Sequence, residues 1–312
     1  MRLMLCSTSW RPEGHDIRPA GACSSARERR NSFCTIIYLE KATLGKRCGT
    51  FRPVPFAYYI PEKRDDYVFE AEYSIPYAGI GPDGAMKLPV LLDILQDMAD
   101  RDAHRMSMTV ADLLPRGLSW VLRQYRVVVD RYPGHESMLK VRTWHGPRRN
   151  LHSIRAFEVR DAAGPVASAW TSWILIDTLR GRPLRLDRHT TEVYTREAYP
   201  MDGDAPSLPV VEDFAYDTFF SVRRWDLDRN AHVNNAVYFS WAVESAPDAV
   251  AAEYELVKVE AEYLKPVEKN GDVRVRTALL PADQGEKAFF HLIEGPDGEV
   301  KAHFATRWRG RK

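Results

Sequence analysis

One order of elements runs through this 312-residue sequence twice. In the first pass, Tyr67–Ile75 reads as a strand and the Gly-, Pro- and Asp-rich stretch Tyr77–Gly84 as a loop. Leu88, Leu91, Leu92, Leu95, Met98 and Ala99 then recur on one helical face, predicting an amphipathic helix to about Met106 with Pro89 in its first turn. Strands are expected at Ser119–Asp130, Met138–Trp144, Ser153–Arg160 and Val166–Asp177, separated by turn signals such as Tyr132-Pro133-Gly134. After a connector rich in Pro and charge, residues 181–212, the order returns. A strand at Phe214–Arg224, a polar loop at Trp225–Asn235 and a helix at Ala236–Ala246, closed by Pro247, precede four strands: Val257–Tyr263, Val273–Leu279, Lys287–Glu294 and Glu299–Trp308.

A single helix followed by antiparallel strands buries its apolar face by lying in a sheet that curls around it. Each pass, of roughly 110–120 residues, is therefore expected to be an α+β unit with a central helix wrapped by an antiparallel sheet. The two copies show little identity, so the duplication rests on element order. Joining them sheet edge to sheet edge would remove two exposed edges. The expected division is a first unit at 67–180, a linker at 181–212 and a second unit at 213–312.

Residues 1–66 look foreign to this pattern and are expected to be a poorly ordered extension. The first 60 hold ten Lys and Arg against four Asp and Glu, a net of +6, although the whole chain sums to only +1. That near-neutral total gives no argument for nucleic acid, and no apolar run is long enough to span a membrane. The extension lacks the continuous apolar stretch of a secretory signal. Its Arg and Ser leave a plastid transit peptide open beside a cytoplasmic location. All four cysteines (Cys6, Cys23, Cys34, Cys48) fall within it, so the two units can carry neither a disulfide scaffold, nor a cysteine nucleophile, nor a Cys-based zinc site.

The densest group of chemically able side chains is the loop Trp225-Asp226-Leu227-Asp228-Arg229-Asn230-Ala231-His232-Val233-Asn234-Asn235. Asp228, Asn230 and His232 are spaced by two, which on an extended backbone would project all three to one side. A carboxylate, an amide and an imidazole suit hydrolysis, which needs water activated, a carbonyl polarised and the activating group oriented. The same residue types also serve as ordinary turn and cap residues, with Asn234 or Asn235 capping the helix. The first copy's loop, Gly79–Lys87, keeps Asp83 but has no His and no Asn. Glu244 is expected on the apolar face of the second helix, as a base or as a bonded polar group in the core. Arg148, Arg149 and Arg155 form a candidate basic patch for an acidic partner. There is no ligand-spaced His pair near the loop and no Gly-x-Ser-x-Gly elbow, and no metal or other cofactor is expected.

The run Asp226 to Asn235, continuing to Tyr238, Trp241 and Glu244-Ser245-Ala246-Pro247, resembles the acyl-ACP thioesterases of plants and bacteria. Trp120-Val121, Arg131-Tyr132-Pro133, Thr143-Trp144 and Arg148-Arg149 fall in that family's order, and the resemblance covers roughly 67–310. It implies a double hotdog fold that hydrolyses the thioester of acyl-acyl-carrier-protein and so ends fatty acid elongation. The first hotdog would shape the acyl-chain pocket and the second would carry catalysis by Asp228, Asn230 and His232. A further catalytic Glu in the plant pattern follows a Glu-Tyr-Arg-Arg run. Here that run reads Glu262-Tyr263-Leu264-Lys265 and Pro266 comes next, so the resemblance leaves Glu268 or Glu244 as the substitute. The implied partner is acyl carrier protein, acidic and drawn by Arg148, Arg149 and Arg155, with the enzyme a monomer or homodimer. An acyl-CoA thioesterase of the same fold and a non-catalytic acyl-binding protein are the alternatives.

Overall fold

The computed structural model describes residues 60–61, 68–145, 151–186, 208–228, 230–269 and 271–311. In the first half β2 (Phe69–Ser74) leads through a short 3-10 turn to α1 (Leu88–Arg105), the small α2 (Val110–Leu113), and then β3 (Leu118–Val129), β4 (Met138–His145), β5 (His152–Asp161) and β6 (Gly164–Asp177). In the second half β8 (Tyr216–Ser221) and another 3-10 turn lead to α3 (Asn235–Glu244) and α4 (Asp248–Glu253). The strands β9 (Tyr254–Tyr263), β10 (Asp272–Leu280), β11 (Glu286–Glu294) and β12 (Val300–Gly310) follow. Two-residue strands at Ile60–Pro61 (β1) and Arg182–Pro183 (β7) bring the sheet to twelve strands among the described residues.

The sheet order is β1-β2-β4-β5-β6-β3-β9-β12-β11-β10-β8, with β7 beside β6, and all the pairs are antiparallel. Read outward from its middle, this order is the same in both directions: β3, β6, β5, β4, β2 on one side match β9, β12, β11, β10, β8 on the other. The halves meet at a β3–β9 seam where Gln124 lies opposite Glu262 and Val127 opposite Val259. Val127 and Val259 are buried, and Arg126 Nε reaches the Glu260 carboxylate at 2.8 Å across the seam. Neither half's inner strand remains an edge.

The helical face read from the sequence is the buried one. Leu91, Leu95 and Met98 are fully buried, each worth about 1.5–3 kcal/mol of burial. With them α1 packs on β2, β4 and α3. Tyr238, Phe239, Trp241 and Ala242 bury the matching face of α3, and Phe239 meets Tyr125 and Phe304 edge to face at 5.3 and 5.1 Å between centroids.

Three differences from the sequence expectation have local causes. A second helix, α2, is set by a Thr-x-x-Asp capping box, with Asp112 N–H donating to Thr109 Oγ1 and Thr109 N–H to the Asp112 carboxylate. Pro247 closes no helix but starts α4, since a proline fits just before or within a first helical turn. Residues 60–61, inside the expected extension, pair with β2 through Ile60–Glu72 and Pro61–Ala71. The rest of that extension, most of the connector and Arg148 and Arg149 lie outside the described residues. No helix among the described residues is long and apolar enough to cross a membrane.

Candidate active site

The loop between β8 and α3 is folded on itself, and not extended as the spacing suggested. Leu227 and Val233 bridge across its neck, Asp228 N–H donates to His232 O at 2.7 Å, and Ala231 takes a left-handed φ of 60° to close the turn. The Asp228 carboxylate fills the turn. It accepts the Asn230 N–H at 2.7 Å, the His232 N–H at 3.3 Å and the Asn230 side-chain amide at 3.3 Å. Asp228 thus holds the backbone of the other two residues and does not touch the imidazole.

A second segment brings a carboxylate alongside the loop. His232 lies opposite Glu268 in an antiparallel bridge, and the flanking bond is Val233 N–H to Val267 O at 2.9 Å. That pattern makes His232 and Glu268 a non-hydrogen-bonded pair, the kind in which the Cα atoms approach to about 4.5 Å and both side chains leave the same face. His232 is half-buried while Asn230 and Glu268 are exposed, so the group opens to solvent.

This segment is fixed by α3. Tyr238, buried in the helix, accepts the Val267 N–H at 2.7 Å, and Tyr263 donates to Asn235 O at 3.0 Å. Burial, with the Asp228 charge adding to it, pushes the Tyr238 phenol above its ordinary value and keeps it neutral. Asn234 caps α3 by accepting the Ala236 N–H at 2.9 Å, so the helix start, with its N–H groups, stands directly after His232.

The first half builds the same device without the chemistry. Ile80–Met86 and Ala85–Gly134 are bridged as Leu227–Val233 and His232–Glu268 are. Gly81 N–H donates to Ala85 O, Met86 N–H to Pro133 O and Lys87 N–H to Gly79 O, bond for bond as in the second half, and Gly84 takes the positive φ of Ala231. The equivalents of Asp228, Asn230, His232 and Glu268 are therefore Gly81, Asp83, Ala85 and Gly134. Only Asp83 is chemically able, and it is paired with Arg311 at 3.2 Å.

A cavity of about 90 Å³ lies in the first half between the C-terminal part of α1, α2 and the sheet. Ala99, Ala103, Met106, Met108, Trp120 and Trp173 give it apolar walls, and His145 and Arg155 a polar end. Trp120 stands near the start of β3, close to Arg123, whose guanidinium donates to Tyr263 O. The cavity and the His232–Glu268 pair thus share one end of the β3–β9 seam.

Residues 66–194 match the family profile of the acyl-ACP thioesterase N-terminal domain, and residues 212–310 that of the C-terminal domain. The chain belongs to the acyl-ACP thioesterase family. Among its relatives, an acyl-[acyl-carrier-protein] hydrolase of Cuphea viscosissima, named as chloroplastic, is 26% identical over 79% of this chain and 64% of its own length. A chloroplastic palmitoyl-acyl carrier protein thioesterase of Arabidopsis thaliana is 26% identical over 80% and 65%. The chain therefore spans just under two thirds of the length of these curated relatives. The solved 12:0-ACP thioesterase of Umbellularia californica superposes with a TM-score of 0.66 at 22% identity, covering 78% of this chain and 94% of that one. An acyl-ACP thioesterase from Bacteroides thetaiotaomicron does so with 0.66 at 17%, covering 78% and 98%.

Within this thioesterase-family chain the other site candidates are placed as follows. Glu244 does not lie in the core: it is the last residue of α3, exposed, at the opposite end of the helix from His232. Arg155 is no surface cation either. It is 4% exposed, donating to the Asp102 carboxylate at 2.7 Å and to Thr143 Oγ1 at 3.2 Å, with His145 Nε2 at 2.7 Å. On β5 its side chain takes the inward parity, under α1, which the Arg-rich composition of 148–155 hid. Asp102 and Trp173 carried no functional signal in the sequence because their residue types fit any helix or strand; only the tertiary structure sets Asp102 against Arg155 of β5 and brings Trp120 and Trp173 into one cavity.

Proposed function

We propose that this chain hydrolyses the thioester of an acyl group carried by acyl carrier protein, releasing a free fatty acid and the carrier thiol. The observation that carries the reading is the His232–Glu268 pair set beside Asp228 and Asn230, against a first-half copy that has the same backbone but keeps only Asp83, itself paired with Arg311. On this reading the two halves are a double hotdog, the first (67–180) housing the acyl chain in the cavity under α1 and the second (213–312) performing the chemistry.

The Asn230 amide and N–H groups at the start of α3 hold the thioester carbonyl and stabilise the oxyanion as it forms. His232 takes a proton from a water molecule whose oxygen attacks the carbonyl carbon, and Glu268 on the same face stabilises the imidazolium. When the carbon–sulfur bond breaks, His232 returns that proton to the leaving thiolate. Asp228 positions this machinery through the backbone of Asn230 and His232.

Hydrolysis of acyl-ACP, acyl-CoA and acyl-pantetheine with matched chains from short to long tests the reading, using wild type and His232→Ala. Acyl-ACP is expected to be the preferred substrate, and His232→Ala to lose about 100-fold or more in kcat. Tight acyl binding without turnover would make the chain a binding protein instead. Preference for acyl-CoA would assign the other carrier.

A further inference from the structure

The 3-10 turn Arg224–Asp226 stands immediately before the catalytic loop. Its aspartate is turned inward. Asp226, 2% exposed, accepts the Arg223 N–H at 2.7 Å and pairs with the Arg223 guanidinium at 3.0 Å. Neutralising Asp226 within the turn in this way leaves Arg224 exposed, with no ion pair to any described residue. Beside it Trp225 is 96% exposed, the highest value among the large apolar side chains described. Across the loop, Lys269 is exposed next to Glu268. An outward tryptophan flanked by arginine is the composition of an interface anchor, where Trp and Arg are enriched.

The first half again serves as an internal comparison. Its matching turn, Tyr77-Ala78-Gly79, has no charged residue, and Tyr77 rests edge-on against His135 at 5.8 Å. The first-half turn also exposes an aromatic, Tyr77 at 83%, but its nearby cation, Lys87, is spent on the Ala78 carbonyl at 3.0 Å. Arg224, by contrast, stands in the turn itself beside Trp225 with no such partner among the described residues.

Resting on the acyl-carrier reading above, we infer that Arg224 and Trp225, with Lys269 opposite, form the docking face for the acidic carrier protein. The carrier's acidic surface meets the cations while Trp225 packs on its apolar ridge, and the thioester is delivered directly onto His232. This face takes the place of the patch expected at Arg155, whose charge is spent inside the protein on Asp102. Electrostatic docking of this kind acts on encounter and on KM, weakens with salt, and leaves the chemical step alone.

Steady-state kinetics on acyl-ACP and on acyl-pantetheine of the same chain, at low and high salt, provide the test. The proteins are wild type, Arg224→Glu, Trp225→Ala and the control Arg160→Glu, an exposed cation at the opposite strand ends, where β5 meets the start of β6. The expected result is a rise of about 10-fold or more in KM for acyl-ACP in the first two variants, with kcat held, the loss confined to the carrier-borne substrate, and the salt dependence gone in Arg224→Glu. Equal losses on both substrates, or no loss on acyl-ACP, would overturn the docking face. So would a Trp225→Ala protein whose KM is unchanged but whose oligomeric state shifts in light scattering, since the face would then join two copies of this chain. A wild-type protein that does not prefer acyl-ACP removes the acyl-carrier reading itself; a wild-type preference that the variants leave intact removes the docking face alone.

Discussion

At the scale of single residues, the proposed mechanism divides the site into groups that act and groups that hold. Asp228 spends its carboxylate on two backbone N–H groups and one amide, a closed turn with no oxygen directed at the imidazole. Glu268 has the opposite character: exposed, on the face of His232, and joined to it through the backbone bridge. Glu268→Gln keeps the shape and removes the charge, so kcat is expected to fall by about 10²–10⁴ with little change in unfolding free energy. Glu244→Gln, at the far end of α3, is expected to stay within twofold of wild type. Turnover of acyl-ACP by both proteins, beside their urea unfolding curves, checks the pair.

At the scale of elements, α3 joins the two segments of the site. Its cap, Asn234, follows His232 by two residues, and one turn later Tyr238 accepts the Val267 N–H that precedes Glu268. Tyr238→Phe leaves that N–H without its partner and frees the segment from the helix. The expected cost is about 1 kcal/mol in stability, with kcat falling while KM stays near its wild-type value. A merely structural role would lower stability and leave kcat per folded molecule unchanged, so urea denaturation and kinetics on the same samples separate the two.

At the scale of the whole molecule, the sheet order reads alike from both ends, yet the halves have diverged in what they bury. The first half holds the cavity and the inward Arg155–Asp102 pair. In the second half His291 is fully enclosed between Thr277 and Thr306, 2.9 Å from each hydroxyl. Burial holds its imidazole down to about 3, against an ordinary 6.5 in the unfolded chain. Above pH 6.5 both states are neutral there and the residue adds no pH dependence. Below it the unfolded chain binds a proton that the folded one refuses, and stability falls by about 1.4 kcal/mol per pH unit until the folded value is reached. Between pH 7 and pH 5 this residue is expected to cost about 2 kcal/mol, and His291→Gln to flatten that slope. Unfolding free energies by urea at the two pH values provide the measurement.

The sequence by itself determined the duplication, the elements of both halves and the loop that carries Asp228, Asn230 and His232. Each of these is written in local periodicity and in short polar runs, which act over a few residues. What faces what was decided by the tertiary structure. The alternation of β5 turned Arg155 inward under α1, and the length of α3 put Glu244 at the wrong end of the helix. The Val233–Val267 bond carried Glu268, 36 residues along the chain, to the face of His232. Such pairings depend on strand register and on the closing of loops between distant segments, and no window of local pattern contains that information.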